Sequence, residues 1–189
     1  MLLKFLFDEH LAQASYLIGC QETGEALVMD PGRNPSQYLQ AAAEEGLKLV
    51  AAAETHIHAD FLSGARELAD REGVRLYVSN EGGPDWSYGY LADYDHVLLE
   101  DGAQFMLGNL RFEVMHTPGH TPEHLIYLLT DTLAAGEPLG VFSGDFVFVG
   151  DVGRPDLLEE AVGVQGAAEP AAQVVGEGAV VQLFEFRGA

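Results

Sequence analysis

Thr55-His56-Ile57-His58-Ala59-Asp60-Phe61 follows directly on an apolar run, residues 47–53, that has the length and composition of a buried strand. In an extended segment, residues two apart point to the same side, so His56 and His58 can face one point at the strand's end with Asp60 close by. Two later stretches have the same form. His116-Thr117-Pro118-Gly119-His120-Thr121 closes the run 110–116, and its Pro-Gly turn folds the chain back, which suits a ligand presented from a loop. Phe142-Ser143-Gly144-Asp145 ends a further apolar run with a carboxylate. Imidazole and carboxylate donors at strand ends, with no thiolate, suit zinc or non-haem iron. Two imidazoles and one carboxylate on one face leave coordination positions open, the usual arrangement for iron(II) that activates dioxygen. His10 and His96 have no ligand-like neighbours and read as ordinary hydrogen-bonded side chains.

Around these motifs the chain reads as a mixed α/β (α+β) protein with largely antiparallel pairing. Strands are expected over 13–20 and 25–30, around a turn at Gln21-Glu22-Thr23-Gly24, with Asp30-Pro31-Gly32 ending the second. Asn34 as cap, Pro35 at the first helical position and Gly46 as stop frame a helix whose apolar face is Tyr38, Leu39, Ala42 and Ala43. A second helix is expected over 61–72, ended by Gly73. Strands follow over 74–79, 97–99, 104–107, 110–116, 125–130 and 139–142, and the aromatic stretch 80–94 lacks a period and reads as a loop.

Composition excludes several classes. At 189 residues the chain is of single-domain size, and 48% hydrophobic with 21% charged residues is ordinary for a globular protein. Nine basic and 30 acidic side chains give a net charge of −21, a field that repels phosphate backbones and anionic lipid. Neither nucleic acid nor a membrane surface is expected as partner. The apolar start Met1-Leu2-Leu3-Lys4-Phe5 meets acid at Asp8 and lacks the form of a signal peptide, so a cytoplasmic protein beginning with a strand is expected. The single cysteine, Cys20, can form neither an internal disulfide nor a thiolate cluster, and reads as a small buried hydrophobe.

The segment Thr55–Asp60, the loop Thr117-Pro118-Gly119-His120-Thr121 and Ser143-Gly144-Asp145, in this order, resemble the metal motifs of the metallo-β-lactamase superfamily. Together with Gly150-Asp151-Val152-Gly153-Arg154-Pro155-Asp156, they are most similar to its persulfide dioxygenase branch, in particular the bacterial forms associated with rhodanese domains; glyoxalase II is a more distant likeness. The resemblance implies an αββα sandwich and one Fe(II) held by His56, His120 and Asp145, with zinc as the alternative. His58 and Asp60 would then assist catalysis from outside the ligand set, although His58 could also be a direct ligand. It further implies oxidation of a thiol persulfide, such as glutathione persulfide, by O2 to sulfite and thiol. Arg154 is the candidate substrate contact, and Tyr127 and the aromatic loop 86–94 are candidate pocket-lining residues, with core packing as their alternative. A rhodanese partner and a homo-oligomer complete these expectations.

Two departures stand out. Hydrolases of the superfamily place histidine directly after the Asp60 position, where it helps to bind a second zinc; here Phe61 stands there and cannot coordinate. The likeness also runs only to about residue 166, dividing the chain into a domain over 1–166 and an atypical tail over 167–189, rich in alanine, glycine and valine, with no histidine after His124. Two other readings follow from these departures: a zinc thioester hydrolase of the glyoxalase II type, and a truncated, non-catalytic relative that binds metal.

Overall fold

The structure is a computed structural model that describes residues 1–134, 136–148 and 151–152, the last four of these without side-chain detail beyond residue 146. Among the described residues, one sheet of six strands runs in the order β1-β2-β3-β4-β5-β6: Leu2–Asp8, Gln13–Cys20, Glu25–Met29, Lys48–Ala53, Arg75–Ser79 and His96–Leu99. A second sheet has the order β10-β9-β8-β7, with β7 Gln104–Leu107, β8 Leu110–His116, β9 Leu125–Asp131 and β10 Gly140–Phe142. A two-residue pair, β11 Val147–Phe148 with β12 Asp151–Val152, follows.

The inner strands β3 to β5 of the first sheet are apolar on both faces because each face is covered. Ala26 and Val28 of β3, Leu76 and Val78 of β5 and Leu17 of β2 point to one side, where they pack on Tyr38, Ala41 and Ala42 of α1 (Ser36–Glu44) and Ala65, Leu68 and Ala69 of α2 (Ala65–Glu72). Leu27, Met29, Ile18 and Tyr77 point to the other and meet Leu110, Phe112, Val114, Leu125, Tyr127 and Leu129 of the second sheet. This alternation, read off the pleat, stacks helices, sheet and sheet. At roughly 1.5–3 kcal/mol for each large apolar side chain removed from water, both faces contribute substantially to the stability of the frame beneath the metal motifs. None of the helices in the described residues is long and apolar enough to cross a membrane.

The pairing is largely antiparallel, as expected, with one parallel block, and one helix boundary is corrected. Pairing is antiparallel for β1-β2-β3 and throughout the second sheet, but β3-β4, β4-β5 and β5-β6 are parallel. Two of these connections run through a helix, α1 between β3 and β4 and α2 between β4 and β5, and such a crossover brings the next strand back in the same direction; β5 and β6 are joined instead by the loop 80–95. The second helix also begins at Ala65 rather than at residue 61, and stops as expected at Gly73, whose φ of 64° suits a glycine. Residues 61–64 are held out of the helix: Gly64 N donates to Pro31 O, and the Ser63 hydroxyl is engaged by Glu54. Stretch 80–94 is a loop with two short 3-10 turns, Pro84–Trp86 and Leu91–Asp93. Its tyrosines 88, 90 and 94 pack against the helix-covered face of the first sheet, fulfilling the core-packing alternative.

Candidate metal centre

Parallel pairing places the carboxyl ends of β3 and β4 side by side, so Asp30, just past β3, lies against Glu54, Thr55 and His56, just past β4. Asp30 adopts φ 49°, a left-handed conformation that aspartate tolerates better than most residues. From there its carboxylate takes three donors: the Thr55 N–H at 2.6 Å, the Thr55 hydroxyl at 2.9 Å and His58 Nε2 at 3.2 Å. Because the Thr55 hydroxyl gives its proton to Asp30, it can only accept from His56 Nδ1, which lies 2.9 Å away. His56 is thereby fixed with its proton on Nδ1 and its lone pair on Nε2. Burial, reinforced by the neighbouring His58, pushes its pKa down to about 3, so the ring is neutral.

That Nε2 lone pair faces the other two expected ligands. His56 Nε2 is 3.8 Å from Asp145 Oδ2, and His120 Nε2 is 3.5 Å from the same oxygen. His56, His120 and Asp145 offer donor atoms that all lie within 4.8 Å of one another. Ligand atoms about 2.0–2.2 Å from a shared ion lie roughly 3–3.6 Å apart, so this trio needs little movement to close on one cation. Two imidazoles and a carboxylate from three separate loops fit iron(II) or zinc. The β8–β9 loop carries His120. It is anchored to the His56 loop by Glu123, a fully buried carboxylate that accepts from Ile57 N at 2.6 Å, and by Leu125 N, which donates to Thr55 O.

Gly144 permits the third ligand to approach. Its φ is 49°, and a Cβ there would lie 2.5 Å from Thr55 Oγ1 and 2.9 Å from His124 Nε2. The absent side chain lets the loop bearing Asp145 rest directly on the floor of the site. His124 itself is completely buried, its ring stacked 5.1 Å from that of His56 and its Nδ1 3.0 Å from Thr117 Oγ1. It is packing beneath the ligands. His116, in the same sequence cluster, has Nε2 on the Pro122 carbonyl at 2.8 Å and is engaged within its own loop.

His58 is brought beside His56, ring centroids 4.1 Å apart, yet its Nε2 lies between two buried carboxylates, 3.2 Å from Asp30 Oδ1 and 3.2 Å from Glu54 Oε2. Burial would lower its pKa; the bonds to Asp30 and Glu54 overcome this and push it up to about 10. Asp30, with burial opposing but His58 bonded to it, is the carboxylate held low. Phe61 stacks on the His58 ring at 4.2 Å. Asp60 is exposed at the rim of a cavity of about 370 Å³ that opens over the centre, bounded also by Leu11, Tyr16, Phe142 and Ser143.

Tyr127 is 0% exposed, and its hydroxyl donates to the Glu54 carbonyl at 2.7 Å, so it takes the core-packing alternative, in the face between the sheets, and not the place of a pocket-lining residue. Arg154, the boundary at 166 and the tail 167–189 lie outside the described residues. Reading the sequence for ligands missed Asp30, Glu54 and Glu123. Asp30 had a legible signal, an acid at a strand end next to the motif-bearing strand; a buried glutamate has none that distinguishes it from a surface one.

Comparisons with known proteins give the family. A bovine relative, the mitochondrial persulfide dioxygenase ETHE1, is 31% identical over 173 residues, covering 89% of this chain and 59% of its own length. The hydroxyacylglutathione hydrolase GloC of Haemophilus influenzae is 30% identical over 145 residues, 70% of this chain and 66% of that protein. The crystal structure of a metallo-beta-lactamase from Staphylococcus aureus subsp. aureus COL superposes with a TM-score of 0.80 at 51% identity, over 83% of this chain and 47% of that one. The chain thus spans about three fifths of the length of the persulfide dioxygenases it matches. The family profile matches residues 9–179, and with the sandwich and the three converging ligands it establishes that the chain belongs to the metallo-beta-lactamase superfamily.

Proposed function

We propose that the protein is a mononuclear non-haem iron enzyme that oxidises a thiol persulfide with O2, giving sulfite and the free thiol. The observation that carries this reading is the division of donors: His56, His120 and Asp145 converge, while Phe61 occupies the position of a second-metal ligand and His58 is bonded to carboxylates. Three protein donors leave room for substrate, dioxygen and water. The likeness to persulfide dioxygenases supports the same reading. Overall, one persulfide, one O2 and one water yield one thiol, one sulfite and two protons, four electrons passing from the terminal sulfur to dioxygen.

Iron(II), when bound, supplies the affinity for a sulfur anion and for O2 that no side chain offers. The chain's own residues do the rest. Thr55 and Asp30 orient His56 so that its lone pair faces the centre. The apolar wall of Leu11, Tyr16, Phe61 and Phe142 limits water around the reacting sulfur. Asp60, at the cavity rim, is placed to accept a proton released there. Arg154 is the proposed contact for the carrier thiol, through the paired hydrogen bonds of a guanidinium.

The likeness to GloC favours a second reading, a zinc thioester hydrolase. One experiment separates the two: elemental analysis of the purified protein, with oxygen uptake and sulfite formation from glutathione persulfide, for the parent chain and His120→Ala. One iron per chain and oxygen-dependent sulfite, both lost in His120→Ala, is the expected result. Zinc with S-lactoylglutathione turnover and no oxygen uptake, or a His120→Ala chain that keeps iron and activity, would overturn the proposal.

A further inference from the structure

We propose that Glu54 is a positioning residue which, with Asp30 and Phe61, withholds His58 from the metal and so keeps the centre at three protein donors. The inference rests on the His56–His120–Asp145 site argued above and concerns what sets its number of ligands.

His58 is close enough to join. It stands two residues after His56 on the same side of the chain, its ring 4.1 Å from the His56 ring. Asp30 Oδ1 lies 3.2 Å from its Nε2, long for a charge-assisted bond, so that contact alone does not lock the ring. Glu54 supplies a second carboxylate oxygen to the same nitrogen, also at 3.2 Å. Glu54 is 1% exposed, and among the described residues its Oε2 has no conventional hydrogen-bond partner; the group it faces is His58. The rest of Glu54 is fixed. Its other oxygen takes the Ser63 hydroxyl, its N–H donates to Tyr77 O, and its carbonyl accepts from Tyr127. Phe61 closes the ring's face at 4.2 Å. A buried carboxylate is costly unless it is matched to a partner; here the match immobilises a histidine that would otherwise be a fourth donor. The residue after Asp60 and the residue before Thr55 therefore act together: Phe61 removes one ligand from the pocket and covers the ring of another, which Glu54 holds by its nitrogen.

The test measures metal binding, independently of turnover. Zinc affinity is read by competition with a chromophoric chelator, and the coordination sphere by the visible spectrum of the cobalt(II)-substituted protein. The variants are Glu54→Gln, His58→Gln and the double substitution; His58→Gln keeps an N–H for the carboxylates but offers no imidazole. Glu54→Gln is expected to tighten zinc by about tenfold or more, on the scale at which outer partners tune metal sites, and to shift the cobalt bands as an imidazole is added. His58→Gln alone should leave both unchanged, and the double variant should return to the parent values, which a purely structural role for Glu54 would not produce. Should Glu54→Gln not fold, Glu54→Asp, which retracts the carboxylate by one methylene, is expected to move both readings in the same direction. A parent-like affinity and spectrum in the folded Glu54 variant, or a loss of zinc affinity in His58→Gln, would overturn the inference. Failure of the iron reading itself would show instead in the elemental analysis and in His120→Ala.

Discussion

Thr55→Val removes one hydroxyl and keeps the outline of the side chain. In the structure that hydroxyl donates to Asp30 Oδ2 and accepts from His56 Nδ1, each at 2.9 Å, and all three residues are buried. Valine satisfies neither neighbour. Each buried polar group left unpaired costs about 1–3 kcal/mol, so the metal-free variant should be less stable by about 2–6 kcal/mol. For a chain of this size that corresponds to a fall in Tm of roughly 4–24 °C. The second consequence concerns the ligand. Without an acceptor at Nδ1, the proton of His56 is free to occupy either ring nitrogen, and Nε2 is no longer reserved for the metal. Loss of such an outer partner typically weakens metal binding by about 10–100-fold. Thermal denaturation of the metal-free protein reads the first effect, chelator competition the second, and nitrogen-15 NMR of the histidine side chains reads the tautomer directly. A Thr55→Val chain whose His56 still carries its proton on Nδ1, with unchanged zinc affinity, would refute the relay from Asp30 through Thr55 to His56.

Gly144→Ala should destabilise the chain by about 2–4 kcal/mol, since it adds a left-handed alanine to an overpacked contact on Thr55; it should also lower metal occupancy by displacing Asp145, and full occupancy with an unchanged denaturation midpoint would count against the close approach. The metal-free protein should show opposed pH limbs. His58, raised from 6.5 to about 10, contributes fully below pH 6.5 and loses its contribution as pH climbs to 10, whereas His56, lowered from 6.5 to about 3, weakens the fold as pH falls from 6.5 towards 3. Denaturant titrations from pH 4 to 10 check both limbs, and His58→Gln should flatten the alkaline one.

The three candidate ligands were legible because each closes an apolar run and sits beside small turn-forming residues: His56 after residues 47–53, His120 after Pro118-Gly119, Asp145 after Ser143-Gly144. Most strand positions were legible for the same reason. The parallel pairing of β3 to β6 was not, although the unbroken apolar run at 49–53 is what a strand covered on both faces produces. Tyr127 illustrates the same difficulty within β9: Leu125, Tyr127 and Leu129 face inward, but Ile126 on the outer face is buried as well, and a strand apolar on both sides does not announce which side holds the tyrosine. The fate of His58 was open because it depends on two acids, one of them 28 residues earlier in the chain, that look in sequence like any of the 30 acidic residues. Charge buried by tertiary contact leaves no local periodicity to read.

The three ligands hang from different layers. His56 ends a strand of the six-stranded sheet, whereas His120 and Asp145 belong to loops of the four-stranded one. A cation shared among them is thus a rivet through the sandwich, and its binding energy is added to that of the apolar seam. Occupancy and folding become one equilibrium, in which free metal raises stability by mass action. A cell short of the ion would then hold less of the folded protein.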